Sequence, residues 1–478
     1  MNKLHFLSAT RIVDDIRENN VTATEIISNL LKRIDEVNPR INAIVHIDRE
    51  YLLSQAKEID DTIAKGNTIG PLAGLPITIK DNIEVKDMIT TGGITGRSNY
   101  VPTFTAPVVK RLKDAGAIII GKTNCPAFCA GFETKNEIYG LTRNPWDLSK
   151  TVGSSSGGEA AIIASGGSYL GIGSDSGGSM RWPSHFCGIA SLVPTFGRVP
   201  RTGTIPPYFG FLDTTQIGPM ARSVKDLSLV FPYIVGPDNW DSRCMPMPIE
   251  DPDAISINNL SISYYTDNGF VEPEKPITRA ITKAVSVLEN YDVIVEERYP
   301  LASREFFDVG RGLNRFSANI DPSTVPEITE WEESVEMYPD DIFGFADSWL
   351  AKASGAKGNE AMLGLEFYFW SIKWDTYRTK ILQFMKNNDA IICPISAISA
   401  FSHGASSKDE FNPLDLLSYT HPYSLVGLPA VTLRGGTTDD GLPVGFQIIT
   451  NFGKESLALK LGMLLESEFD FDDSSCLC

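Results

Sequence analysis

Histidine is scarce in this chain: five in 478 residues, at positions 5, 46, 185, 403 and 421. None sits in a run that marks a catalytic triad partner, although the sequence alone leaves His403 and His421 open. Clustered metal ligands are missing too. Cys125-Pro-Ala-Phe-Cys129 by itself does not make a zinc site, so neither metal nor cofactor is expected. Positive charge is in deficit, with 42 Lys and Arg against 60 Asp and Glu and a net charge of −18. Nucleic acid and anionic membrane surfaces both need a positive face, so neither is an expected partner. No apolar run approaches the roughly 18 residues that a membrane-spanning helix needs. The first twenty residues turn acidic before a signal-length apolar region can form. The seven cysteines are odd in number and scattered, which excludes a disulfide framework and points to a reducing, cytoplasmic setting. Cys476-Leu-Cys478 lacks a four-residue prenylation box and reads as a frayed acidic tail.

What the chain does have is a stretch from Gly153 to Pro183 dense in glycine and serine. A flexible tether would not carry the apolar, helix-like run Ala160–Ala164, or Asp175, Arg181 and Trp182 at such specific places. Glycine lets backbone amides approach a ligand, and serine offers a nucleophile once something takes its proton. The segment 74–83 supplies a candidate for that base. Alternation of Leu75, Ile77 and Ile79 predicts a strand, with Lys80 where it gives out. A lysine stripped of water sheds its proton more readily, and Asp81, next in a strand, would face the other way.

Two motifs mislead. Gly116-Ala-Ile-Ile-Ile-Gly121-Lys122-Thr123 fits the phosphate-loop pattern letter for letter, but three consecutive isoleucines make a strand rather than a cradle of open amides. Gly153-Ser-Ser155-Ser-Gly157 fits the nucleophile elbow, which would make Ser155 the nucleophile. That motif needs a strand running into the turn, and the preceding segment 144–150 is polar and turn-rich.

Elsewhere the pattern alternates helix and strand. Thr22-Ala-Thr-Glu25 has capping-box spacing ahead of the apolar stripe Ile26, Ile27, Leu30, Leu31, Ile34 and Val37, with Pro39 as its end. A strand over 41–47 and a helix over 49–65 follow. Helices are expected over 105–115, from 183 to 191, from Gly218 onward, over 277–288 and over 454–466. Strands are expected over 117–120, 259–265, 293–296, 430–433 and 444–449. Between 302 and 388 aromatics cluster: Phe306, Phe307, Trp331, Trp349, Phe367, Tyr368, Phe369, Trp370 and Trp374. Residues 360–386 read there as one long helix, and some of these rings could wall a pocket.

Lys80 as base, a serine as nucleophile and the amides of Ser176-Gly177-Gly178-Ser179 around an oxyanion would make a histidine-free acyl-transfer site. The motifs that carry it are GLPITIKDNI at 74–83, AGAIIIGKTN at 115–124, GLTRNPWD at 140–147, SSGGEAA at 155–161, GSDSGGSMRWPSHFCG at 173–188 and GLPVGFQ at 441–447. Together they resemble the amidase signature family. The resemblance implies one large α/β domain over 1–478, a central mixed β-sheet covered by helices on both faces. Its core would be about 65–235 and 390–470, with a variable region at about 240–390. It also implies Ser179 as the acylated nucleophile, Lys80 as base and Ser155 as the bridging serine. The amides of Ser176, Gly177, Gly178 and Ser179 would form the oxyanion hole, supported by Ser156, Asp175 and Arg181. Phe128, Cys129 and Ala130 would border the substrate. The family's bridging serine follows a non-proline cis peptide, and Ser154 stands where the family has glycine. The expected partner is a small-molecule amide, and a homodimer is compatible. Leu416-Leu417-Ser418 lacks the acidic residue of the glutamyl-tRNA(Gln) amidotransferase A subunits, and Gly157-Gly158-Glu159 is more like the stand-alone hydrolases. The reading is therefore a stand-alone amidase, with the A subunit, or acyl transfer to an amine, as alternatives.

Overall fold

The computed structural model describes residues 4–67, 69–206, 214–310, 364–469 and 476. Helix α1 (Ala9–Arg17) leads into α2 (Ala23–Ile41), opened by the capping box: Thr22 Oγ1 accepts from the Glu25 N–H at 3.0 Å, and the Glu25 carboxylate accepts from the Thr22 N–H at 2.9 Å. All six residues of the expected apolar stripe are buried. Pro39 does not end this helix. It lies inside the last turn, where the helix gives up one N–H donor, and the chain leaves at Asn42 in a left-handed conformation. Strand β1 accordingly spans Ile44–Ile47 instead of starting at Ile41, and α3 covers Arg49–Ala64.

The other strands of the central sheet are β2 (Pro76–Lys80), β3 (Ile118–Thr123), β4 (Leu170–Asp175), β5 (Ala190–Val193), β6 (Gln216–Ala221), β7 (Ser261–Tyr264), β8 (Ile294–Glu297), β9 (Ala390–Pro394), β10 (Ala430–Thr437) and β11 (Pro443–Thr450). They join β1 in one eleven-stranded sheet of order β1-β3-β2-β4-β6-β5-β10-β11-β9-β7-β8. The sheet is mixed: β2 runs parallel to β3 and β4, whereas β4 pairs antiparallel with β6. Helices flank it: α4 (Pro107–Asp114), α5 (Gly157–Ala164), α6 (Arg181–Cys187), α7 (Val224–Ile234), α8 (Lys275–Leu288), α9 (Gly364–Met385), α10 (Leu414–Ser424) and α11 (Glu455–Ser467).

Several expectations shift. The segment at Gly218 is strand β6, and helix α7 begins only after Ser223, whose Oγ accepts from the Asp226 N–H at 3.2 Å. Pro219 lies opposite Ile172 within that strand, an unusual place for a residue without an N–H, which hides the β pattern. Helix α6 begins at Arg181 and stops at Gly188, and residues 190–193 are strand β5 instead of more helix. Strand β9 and helix α10 had no counterpart in the sequence reading. Cys476 is not frayed: it is buried, with Sγ 3.4 Å from the Ala164 carbonyl. In the aromatic region Phe306, Trp374 and Tyr377 are core, whereas Phe307 and Phe369 are exposed. Trp331, Trp349, residues 360–363 and the rings of Phe367 and Tyr368 lie outside the described residues. No helix among the described residues is long and apolar enough to cross a membrane.

The phosphate-loop lookalike is strand β3. Lys122 is fully buried there, donating to the Ile83 carbonyl and, at 3.2 Å, to Thr90 Oγ1; burial pulls its pKa down to about 8. On β2, the two-residue period puts Ile77 and Ile79 on one face and Thr78 and Lys80 on the other. Thr78 Oγ1 donates to Glu159 of α5 at 2.6 Å, and Thr123 Oγ1 donates to the same carboxyl at 2.9 Å. A β-carbon on Gly171 would overlap that carboxyl, so only glycine fits beside it. Burial raises Glu159 from its ordinary 4.5 to about 8. The folded chain therefore holds a proton there that the unfolded chain releases across this window, and stability falls as pH rises from 4.5 toward 8. Glu159→Gln should flatten that decline, read as melting temperature against pH. An unchanged pH profile would contradict the buried, protonated carboxyl.

Candidate active site

Lys80 closes β2 with its side chain wholly buried. Its Nζ donates to Ser155 Oγ at 2.6 Å and to Ser174 Oγ at 2.9 Å, and it has no carboxylate partner among the described residues. Ser155 sits in the turn that enters α5, after a cis Ser154–Ser155 peptide, and no strand feeds that turn. The elbow geometry is absent, as expected. Ser156 is the N-cap of α5 and stitches this turn to the next: its N–H donates to the Ser179 carbonyl at 2.9 Å, and its Oγ donates to the Ser174 carbonyl at 3.1 Å. The turns bearing Ser155 and Ser179 therefore adjoin. Ser179 is half-buried, and its hydroxyl has no hydrogen-bond partner among the described residues.

The turn from β4 into α6 carries Ser176 to Ser179, and Asp175 organises it from behind. The Asp175 carboxylate accepts from the N–H groups of Gly178 at 2.8 Å, Met180 at 2.9 Å and Arg181 at 3.3 Å. It also takes the Arg181 guanidinium in bidentate fashion, Nε at 3.1 Å and Nη2 at 2.9 Å. Burial alone would raise this carboxyl, but Arg181 and the two amides of Met180 and Gly178 overcome burial and hold it below the ordinary range. Arg181 in turn donates to the Thr420 carbonyl, Gln447 Oε1 and Ser424 Oγ, joining the turn to α10 and β11.

Gly178 departs from its expected place in the oxyanion hole, since its N–H is committed to Asp175. Its φ of 141° and the Trp182 ring beside its α-carbon leave no space for a side chain. The N–H groups of Ser176, Gly177 and Ser179 have no hydrogen-bond partner among the described residues. Ser176 Oγ bonds Thr215 Oγ1 at 2.6 Å, and Thr420 Oγ1 donates to the Gly177 carbonyl at 2.5 Å, which fixes the turn from both sides.

Ser174 and Thr420 were not singled out for this site from the sequence, and His421 only as an open candidate for a triad base. His421 is half-buried beside the turn: a β-carbon on Gly177 would lie 2.9 Å from its Nδ1. That nitrogen has no partner among the described residues, and burial brings the ring down to about 4, so it is uncharged at neutral pH. His403 instead meets Glu133 at 3.2 Å, and His185 accepts from the Gly445 N–H at 2.8 Å. Neither contacts a site serine. Of the three residues expected to border the substrate, Cys129 is half-buried, with its Sγ 3.9 Å from the Ile205 carbonyl. Phe128 is half-buried and Ala130 exposed. No group of His, Cys, Asp and Glu among the described residues could hold a metal ion.

The family model described as Amidase matches residues 25–459. The chain belongs to the amidase signature family. This amidase is 33% identical over 495 residues to the A subunit of glutamyl-tRNA(Gln) amidotransferase from Carboxydothermus hydrogenoformans, covering 98% of each chain. Among solved structures, 6-aminohexanoate cyclic dimer hydrolase in complex with substrate matches it with a TM-score of 0.82 at 25% identity over 98% of each chain. Fatty acid amide hydrolase shares the fold, with a TM-score of 0.82 at 23% identity over 98% of the amidase and 86% of that chain. The amidase is thus an enzyme of a family that cleaves amide C–N bonds.

Removing one member of a buried ion pair strands the other, at a cost of about 3–5 kcal/mol. Asp175→Asn should therefore lower unfolding stability by that order and abolish turnover, since three turn amides lose a charged acceptor. Because the Asp175 carboxyl is depressed, its contribution is present above the unfolded value and lost as pH falls through the folded one. A variant with intact melting temperature and turnover would contradict this role.

Proposed function

We propose that this amidase hydrolyses a carboxylic amide through an acyl-enzyme on Ser179. The observation that carries the reading is the 2.6 Å bond from Lys80 Nζ to Ser155 Oγ, made without any carboxylate on the lysine among the described residues. In its amine form Lys80 takes the Ser155 proton, and Ser155 takes that of Ser179. Ser179 Oγ attacks the carbonyl carbon, and the developing oxyanion meets the N–H groups of Ser176, Gly177 and Ser179. Collapse breaks the C–N bond as the proton returns through Ser155 to the leaving amine. Water then repeats the sequence on the ester. Asp175 and Arg181 act through the backbone, and Ser156 holds the two serine turns together. The substrate is a small-molecule amide that needs no cofactor, and the six free cysteines among the described residues support a reducing, cytoplasmic setting.

Likeness to the amidotransferase A subunit supports a second reading, release of ammonia from glutamine within a complex. Leu416, Leu417 and Ser418 offer no charge for an amino acid at the start of that segment, which favours the stand-alone hydrolase. Aryl anilides, fatty amides, peptide amides and glutamine, assayed side by side on the single chain, separate the two. Amine release from one of the first three is expected. Ammonia from glutamine alone would favour the second reading.

Loss of a positioned general base typically lowers rate by about 10²–10⁴-fold. Lys80→Ala should fall in that range, and Lys80→Arg should not recover it, because guanidinium stays charged. Replacing His185, His403 or His421 singly should leave measurable turnover. Collapse on losing His403 or His421 at intact fold would reopen a histidine mechanism.

A further inference from the structure

The peptides of the turn between β4 and α6 are each held at one end or both, and the holds decide where the free amides point. A trans peptide is planar, with its C=O and N–H in opposite directions, so a donor that grips the carbonyl also aims the N–H. In the 176–177 peptide the Ser176 carbonyl accepts from Thr214 Oγ1 at 2.8 Å. The Gly177 N–H therefore points away from Thr214, and it has no partner among the described residues. In the 177–178 peptide the Gly178 N–H goes to Asp175 at 2.8 Å, and the Gly177 carbonyl accepts from Thr420 Oγ1 at 2.5 Å. In the 178–179 peptide the Gly178 carbonyl accepts from the Trp182 N–H at 2.8 Å, which sends the unpartnered Ser179 N–H the other way.

The sheet delivers the first of these holds. Strands β4 and β6 pair antiparallel with Asp175 opposite Gln216, and continuing that register by one and two residues places Thr215 opposite Ser176 and Thr214 opposite Gly177. Thr215 Oγ1 meets Ser176 Oγ at 2.6 Å, so the two threonines hold Ser176 by side chain and carbonyl together. Thr420 comes from α10, where it is fully buried; the Leu416 carbonyl, at 3.4 Å, is a much poorer acceptor for its hydroxyl than Gly177. Asp175 and Thr420 thus clamp the 177–178 peptide from its two ends. Glycine on both sides of that peptide offers little resistance to rotation, so the clamp is what keeps it from turning.

We propose that Thr214 and Thr420 are positioning residues of the oxyanion hole: Thr214 aims the Gly177 amide at the oxyanion, and Thr420 keeps the Gly177 carbonyl turned from it. The role rests on the acyl-enzyme function proposed for Ser179. Both threonines act through backbone carbonyls of the turn. Their effect falls on the transition state, where negative charge grows on the substrate oxygen, more than on the ground state, where that oxygen is a neutral carbonyl. An amide aimed before the charge appears has no need to reorient as it forms.

Fluorophosphonate labelling of Ser179, followed over a range of probe concentrations with the site localised by peptide fragmentation, separates the limiting rate from the half-saturating concentration. Removing one oxyanion donor outright costs about 10²–10³-fold in rate, so misaiming one should slow the limiting rate of Thr214→Val by about tenfold or more. Thr420→Val should lose rate in the same way, and half-saturation should stay where it is in the unaltered enzyme for both. Valine keeps the shape of threonine and serine keeps the hydroxyl. Thr214→Ser and Thr420→Ser should therefore label nearly as fast as the unaltered enzyme, whereas a packing role would give the reverse order. Thr214 is only half-buried, so its variants decide the question should Thr420→Val fail to fold. An unchanged limiting rate in Thr214→Val, a loss that Thr214→Ser shares, or a change confined to half-saturation would overturn the positioning role and leave the acyl-enzyme standing. Absence of label on Ser179 in the unaltered enzyme would overturn the acyl-enzyme reading itself, and this role with it.

Discussion

A buried carboxylate–guanidinium pair holds the site in shape. Taking two charges out of water is costly, and such a pair is tolerated only where hydrogen bonds satisfy the remaining lone pairs and protons. Asp175 meets that condition with three backbone amides in addition to the two guanidinium bonds, and Arg181 with acceptors on α10 and β11. The result fixes a turn whose two ends lie on different elements. It also decides which amides remain for a ligand. The Gly178 N–H faces inward to Asp175, so those of Ser176, Gly177 and Ser179 are the ones without a partner among the described residues.

Lys80 depends on a different economy. It is buried with no carboxylate partner among the described residues, and two hydroxyls, those of Ser155 and Ser174, accept hydrogen bonds from it. Neighbouring charge is kept low by the same burial: Glu159, on the same face of β2 through Thr78, is pushed up toward the protonated form.

Much of this was legible in the chain. The alternation Leu75, Ile77, Ile79 places Lys80 at a strand end, and the Ile118–Ile120 run shows β3 to be a strand despite its phosphate-loop spelling. The capping box at Thr22 is a local signal, and local signals survive. The losses share a cause, which is dependence on distant partners. Strand β6 carries glycine and Pro219 and becomes a strand only because β4 and β5 accept it on either side. Thr420 reaches the site from α10, far along the chain from Lys80 and the serines, and no spacing announces it. The commitment of the Gly178 amide depends on which way one N–H points, which composition does not encode. Helix α10 is an apolar and polar mixture whose buried face is defined by Trp182 and Arg181 packing on it.

The central claim is that acyl transfer starts at Ser179 with Ser155 as an intermediary. Its most direct measurement is the mass of the peptide that retains the acyl group when a slowly released carbamate is quenched in acid. The account predicts the adduct on the peptide containing Ser179, and no adduct in Ser179→Ala at an unchanged melting temperature. An adduct on the peptide containing Ser155, persisting in Ser179→Ala, would contradict it and restore the elbow reading.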